Sequence, residues 1–177
     1  SPERESLQKL INDSQKRVSM DELTYMVNGE ISWMFYESEP FTGIGFQNYE
    51  NGQLKVESIF KDGKENGLSK MYYENGQLLG FQNHKDGKPD GLWENHYEDG
   101  QLESSINYKD GKQDGLSKIY YKNGQLKVEG NYKNGKYNGL FNGYYENGHL
   151  IQQVNYMDGN IISTKCWDKE GNEIECK

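Results

Sequence analysis

Residues Tyr72 to Leu78 read YYENGQL, and near-copies follow as HYEDGQL from His96, YYKNGQL from Tyr120 and YYENGHL from Tyr144, spaced 24 residues apart. Each copy centres on a turn-forming pair: Asn51-Gly52, Asn75-Gly76, Asp99-Gly100, Asn123-Gly124 and Asn147-Gly148. A second series lies between them, at Asp62-Gly63, Asp86-Gly87, Asp110-Gly111, Asn134-Gly135 and Asp158-Gly159. Two turns per period mean two strands per period, so the repeating unit is a β-hairpin.

The first series has the chemistry of two-residue type I′ turns, whose central residues both need positive φ. The second leads into another glycine, as in KDGKENGL from Lys61 to Leu68, and predicts a longer, bent connection. If Asn75-Gly76 is a two-residue loop, Glu74 pairs with Gln77 and Tyr73 with Leu78. One face then collects Met71, Tyr73, Leu78, Gly80 and His84. Its equivalents are Trp93, Tyr97, Leu102, Ile106 and Tyr108, then Ile119, Tyr121, Leu126, Val128 and Tyr132, then Phe141, Tyr145, Leu150, Val154 and Tyr156. The other face is largely polar, with Glu94, His96, Glu103, Asn107, Lys118 and Glu129. The expected fold is all-β: a single-layer antiparallel meander of hairpin repeats, curled into a trough that hides the apolar face. Tyr49, Tyr73, Tyr97, Tyr121 and Tyr145 stack into one column across it, and Phe60, His84, Tyr108, Tyr132 and Tyr156 into another.

The ends depart from the period. In residues 1–20, Pro2 followed by Leu7, Leu10 and Ile11 predicts a short amphipathic helix through Lys16 that caps the array. Residues 21–162 form the array, with a degenerate first repeat at 21–43 around Asn28-Gly29 and regular repeats from 44. Residues 163–177 form a terminal capping hairpin. There, Cys166 and Cys176 flank a turn read at Glu170-Gly171-Asn172, which brings the two thiols within reach of a disulfide. A bridge implies export to the cell envelope, and its absence a cytoplasmic protein.

Among the 177 residues, 33% are hydrophobic, yet 14 Tyr, 6 Phe and 3 Trp exclude a disordered chain. The net charge of -8 excludes a nucleic-acid or anionic-membrane surface and favours a basic protein partner. No apolar run reaches the length of a membrane span, and the charged start SPERESLQKL does not read as a signal sequence.

Repeats of the form YYENGQL followed by YKDGK and GL resemble the MORN variant repeat. The lead-in SEPFTG from Ser38, followed by NYENGQL, resembles the YwqK-family antitoxins built from that repeat. The resemblance implies a non-catalytic protein-binding array that neutralises a bacterial toxin as its antitoxin or immunity partner. It carries no catalytic residues, cofactor or metal to this chain.

The residues agree with a binding role. His84 and His96 occupy slots held elsewhere by aromatics, and neither has the convergent partners that catalysis or metal binding needs. Candidate partner-binding positions are those where the repeat is broken or aromatic: Met71, Tyr73, Trp93, Glu94, His96, Tyr97, Tyr121, Phe141 and Tyr145. Two other readings stay open. One is an exported surface protein that binds an envelope glycan, lipid or protein. The other is a structural module that self-associates. The expected state is a monomer or weak homodimer.

Overall fold

The computed structural model describes residues 16–28 and 31–176. The chain divides into two compact units, Ser1–Pro89 and Asp90–Lys177. Apart from one short 3-10 turn at Met20–Glu22, the described elements are strands. The helix expected in the first 16 residues lies outside the described residues, save Lys16, which is in neither helix nor strand.

The first unit contains β1 (Arg17–Ser19), β2 (Thr24–Asn28), β3 (Ile31–Tyr36), β4 (Glu39–Pro40), β5 (Gly43–Asn48), β6 (Leu54–Lys61), β7 (Lys64–Tyr72) and β8 (Leu78–Lys85). Strands β5 to β8 form a meander in sequence order, and β1 runs parallel to β5, with Val18 beside Gly45. The segment read as a degenerate first repeat instead forms a separate three-stranded sheet, β2-β3-β4. Asn28 pairs with Ile31, so it ends β2 rather than sitting inside the turn. This small sheet docks on the first Asp-Gly turn, where the Met34 amide donates to the Gly63 carbonyl at 2.6 Å and the Gly63 amide to Phe41 at 2.8 Å. Val18, Leu23, Phe41 and Phe60 are buried beneath it. Gly45 makes room for them, since a Cβ there would lie 2.7 Å from the Phe60 ring.

The second unit contains β9 (Lys88–His96) from Asp90 onward, β10 (Leu102–Lys109), β11 (Lys112–Tyr120), β12 (Leu126–Lys133), β13 (Lys136–Tyr144), β14 (Leu150–Met157), β15 (Asn160–Trp167) and β16 (Glu173–Ile174). They too pair antiparallel in sequence order.

The two turn series have exchanged roles relative to expectation. At Asn75-Gly76 the Tyr73 amide donates to Gln77 at 2.8 Å and the Gly76 amide to Tyr73 at 2.9 Å, which closes a three-residue loop, Glu74 to Gly76. Only Gly76 has positive φ, 85°, so this is a type I turn with a glycine bulge. The cause is the asparagine side chain. Its Oδ1 accepts from the Gln77 amide at 2.9 Å, which keeps Asn75 right-handed and leaves the left-handed position to glycine. The type I′ turns are the second series. Lys133 pairs directly with Lys136, and Asn134 and Gly135 have φ of 51° and 81°. The glycine that follows sits in the strand. Phe60 pairs with Glu65 but Ser58 with Ser69, so Ile59 faces a bulge around Gly67.

The faces survive the exchange. Tyr72 opposes Leu78, whereas Met71 opposes Gly80. One extra residue on β8 thus restores the register that a two-residue loop would give. Trp93 accordingly opposes Ile106, Ile119 opposes Val128, and Phe141 opposes Val154.

In the second unit the apolar face buries small residues at mid-strand, Ser104, Ser117 and Gly130. Val154 is its only fully buried hydrophobic side chain among the described residues. Hydrogen bonds between successive repeats supplement this thin core. The Tyr97 hydroxyl donates to the Tyr120 carbonyl at 2.6 Å, Tyr121 to Tyr144 at 2.8 Å and Tyr145 to Trp167 at 3.1 Å. On the same rim Asn123 and Asn147 donate from Nδ2 to Glu146 and Lys169. On the opposite rim the Gly135 amide donates to Gln113 and the Gly159 amide to Tyr137. Within this unit the constant residues of the repeat therefore hold each repeat to the next, as a repeat array requires.

Candidate binding surface

The residues singled out from the sequence fall on both faces of the sheet. Met71 and Tyr73 belong to the first unit, where Met71 is half-buried between Val56 and Gly80. In the second unit Trp93 packs on Tyr108 at 5.4 Å and donates from Nε1 to Asn95 at 3.1 Å. Glu94, next along β9, points to the other face and accepts from Ser105 at 3.2 Å. His96 shares that face by the alternation of the strand. Tyr97, Tyr121 and Tyr145 spend their hydroxyls on the carbonyls named above. Phe141 lies in an aromatic cluster, 4.8 Å from Tyr137, 5.9 Å from Tyr132 and 6.1 Å from Tyr156. Its ring rests against Gly130, where a Cβ would come within 1.9 Å of it. Burial, followed by a hydrogen bond with Tyr137, pushes the Tyr132 phenol well above its usual range.

The polar face is organised around Glu129. Its Oε1 accepts from the Tyr144 hydroxyl at 2.9 Å and from Asn142 at 3.3 Å, and Asn142 in turn accepts from Gln153 at 3.0 Å. Burial, reinforced by that hydrogen bond, raises the Tyr144 phenol. The same face carries apolar groups that the sequence reading left out. Leu116 and Leu140, each following the bulge glycine, are 41% and 49% exposed. The signal was present in the repeat itself: Leu68, Leu92, Leu116 and Leu140 recur at the 24-residue period on the polar parity. Met157, Ile161 and Ile162 are also exposed around the last Asp-Gly turn. Among the described residues no cluster of His, Cys, Asp and Glu is arranged to hold a metal.

The terminal hairpin closes through a bond between Cys166 and Cys176, with Cα atoms 5.3 Å apart. Its loop is Lys169 to Gly171, one residue earlier than the sequence reading, because the Asp168 amide donates to Asn172 and the Gly171 amide to Asp168. The Asn172 side chain and the Asn172, Glu170 and Gly171 amides hold the Asp168 carboxyl below its usual range.

These repeats match the MORN repeat variant at residues 41–62, 65–88, 89–110, 113–134 and 137–158, more than half of the chain. The chain belongs to the MORN repeat variant family. Each match spans one alternation of the two turn types. No curated protein matches the chain. Among solved structures it is similar to an S. aureus TarM variant in complex with fondaparinux, alpha-GlcNAc-glycerol and UDP. The TM-score is 0.34 and the identity 13%, over 76% of this chain and 23% of that one. The MORN repeat chain thus spans less than a quarter of that protein, and a likeness at this level carries no argument about activity. No helix among the described residues is long and apolar enough to cross a membrane.

Proposed function

We propose that this MORN repeat protein works by binding a protein rather than by catalysis, and that the partner is a basic toxin that it neutralises as an antitoxin or immunity protein. The observation that carries the binding reading is the exposed leucine row of the second unit. Leu116 and Leu140 stand out from a face whose polar groups, Glu129, Asn142, Tyr144 and Gln153, are already bonded to one another. Apolar side chains in a frame of satisfied polar groups have the make-up of an interface. The net charge of -8 supplies the preference for a basic partner. The toxin step rests on the resemblance to YwqK-family antitoxins.

The test is co-expression with the product of the neighbouring reading frame. The expected result is rescue of growth and co-purification, both lost in a Leu116→Lys, Leu140→Lys variant that keeps its circular dichroism. A neighbouring product that is harmless, or toxicity that the chain does not relieve, removes the antitoxin reading. A second reading, an exported envelope protein, is favoured by the Cys166–Cys176 bond. Its test is fractionation of the native cell, with mass measured before and after reductant.

A further inference from the structure

We infer that β15 is a docking edge, to which an extended segment of a partner protein adds as one more strand. On its inner side β15 pairs with β14 from Met157 and Asn160 through to Gln152 and Cys166. On its outer side it meets β16 only at Cys166 with Ile174 and Trp167 with Glu173. Residues 160–165, all exposed, therefore offer an edge with no strand partner among the described residues.

Native sheets blunt such edges with lysine, proline, bulges or a covering segment. Here proline is absent from residues 160–165, and their one lysine, Lys165, is drawn onto Glu173 at 3.6 Å. The preceding Asp-Gly turns of the unit carry opposed lysines, Lys109 with Lys112 and Lys133 with Lys136, but at the last turn the pair is Met157 with Asn160. β15 still shifts register opposite Asn155 and Tyr156, but its extra residue is Ile162 rather than the glycine found on β7, β11 and β13. Beyond the turn stand Ile161 and Ile162, 63% and 56% exposed, followed by Ser163 and Thr164. A β-branched, apolar, open edge is the surface used in recognition by strand addition, where main-chain bonds hold the segment and alternate side chains select it.

The geometry and charge also choose the occupant. Beyond Lys165 the edge is filled by β16, so the segment has about six residues in which to pair. Close to that end Asp168, Glu170, Glu173 and Glu175 outnumber Lys165 and Lys169, and although Lys165 is paired with Glu173 at 3.6 Å, the acidic excess favours a basic residue there. A second copy fits poorly. Antiparallel pairing of 160 with 165 would place its Gly159 opposite Cys166, where Ile174 already sits, and would bring two acidic hairpins together. The occupant is therefore a segment of another protein, apolar at alternate positions with Lys or Arg at one end. This inference rests on the protein-binding reading and adds a second contact surface to the leucine face.

The experiment is panning of a displayed random heptapeptide library on the full chain with its disulfide intact. Enriched peptides should show the alternating apolar and basic pattern. Their affinity should fall by about tenfold or more in two variants, Ile161→Pro and Ile161→Lys with Ile162→Lys. Asn160 closes a two-residue turn, so the amide of Ile161 points away from β14, and proline there blocks an incoming strand without breaking the ladder. The lysine variant alters only exposed positions, and circular dichroism checks both folds. No enrichment, or peptides that bind the variants as well as the parent, overturns the proposal. Dimerisation that Ile161→Pro abolishes, seen by size exclusion with light scattering, overturns it in favour of a second copy. The library contains no toxin, so failed toxin rescue with successful panning removes only the antitoxin reading, and the converse removes only the edge.

Discussion

Gly130 and Gly143 face each other's neighbours across one hairpin, and neither has a positive φ, yet alanine should act on them with opposite signs. At Gly130 the new Cβ would lie 1.9, 2.2 and 2.6 Å from three atoms of the Phe141 ring. No rotation of a methyl group relieves that overlap, so the ring must leave its seat and with it its contacts to Tyr132, Tyr137 and Tyr156. Three ring pairs at about 0.5–1.5 kcal/mol each put the loss at roughly 2–4 kcal/mol. For a unit of this size that lowers the melting temperature by roughly 10–25 °C. At Gly143 the nearest atom to the new Cβ is Gln152 Cγ at 3.7 Å, an ordinary contact. Restricting the unfolded chain should there stabilise by about 0.4–1 kcal/mol. Thermal unfolding followed by circular dichroism reads both. Adding Phe141→Ala to Gly130→Ala should remove the strain, so that the double variant is no less stable than Phe141→Ala alone. Equal effects of the two single alanines would refute the packing described for this hairpin.

Replacing Tyr121 with Phe deletes the 2.8 Å bond to the Tyr144 carbonyl and should cost about 1 kcal/mol in chemical denaturation, whereas Tyr120→Phe, on the polar face, should stay within about 0.5 kcal/mol. The Asp168 carboxyl titrates lower in the folded chain than in the unfolded one, so its contribution is present above the unfolded value and is lost as pH falls through the folded value. Carbon-detected titration of Asp168 should give a midpoint below the ordinary aspartate range, with the amides of Glu170 and Asn172 shifting at the same pH; an ordinary midpoint contradicts the turn geometry. Reductant should add two hydrogens to the mass and speed amide exchange in residues 168–176, leaving β9 to β14 protected; the closed loop is short, so the loss is about 2–3 kcal/mol and local.

The period, the two strands per repeat and the division of faces were legible because the pattern 24 residues long is repeated with few breaks. The turn types were not, because Asn-Gly and Asp-Gly permit both a two-residue and a three-residue loop, and the choice depends on where the side chain of Asn75 sends its oxygen. The face assignment survived that error because the bulge between Met71 and Tyr72 restores the register. The candidate site was less legible. Tyr97, Tyr121 and Tyr145 looked like available anchors, and their place in a column gave no sign that each hydroxyl is bonded to the next repeat. The exposed leucines, at the positions of Leu116 and Leu140, were visible as a period but follow glycines that read as turn rather than strand. The open edge of β15 depends on which strand comes last, a property of the array that no single repeat carries.

The alternation of turn types holds the whole account together, because it sets the register, the faces and the strand that ends the array. Backbone φ at the turn residues, from three-bond couplings and chemical shifts in solution, tests it directly. Asp110, Asn134 and Asp158 should show positive φ, near 50°, while Asn123 and Asn147 show negative φ and leave the left-handed position to Gly124 and Gly148. Positive φ at Asn123 and Asn147, with negative φ at Asp110 and Asn134, would contradict it.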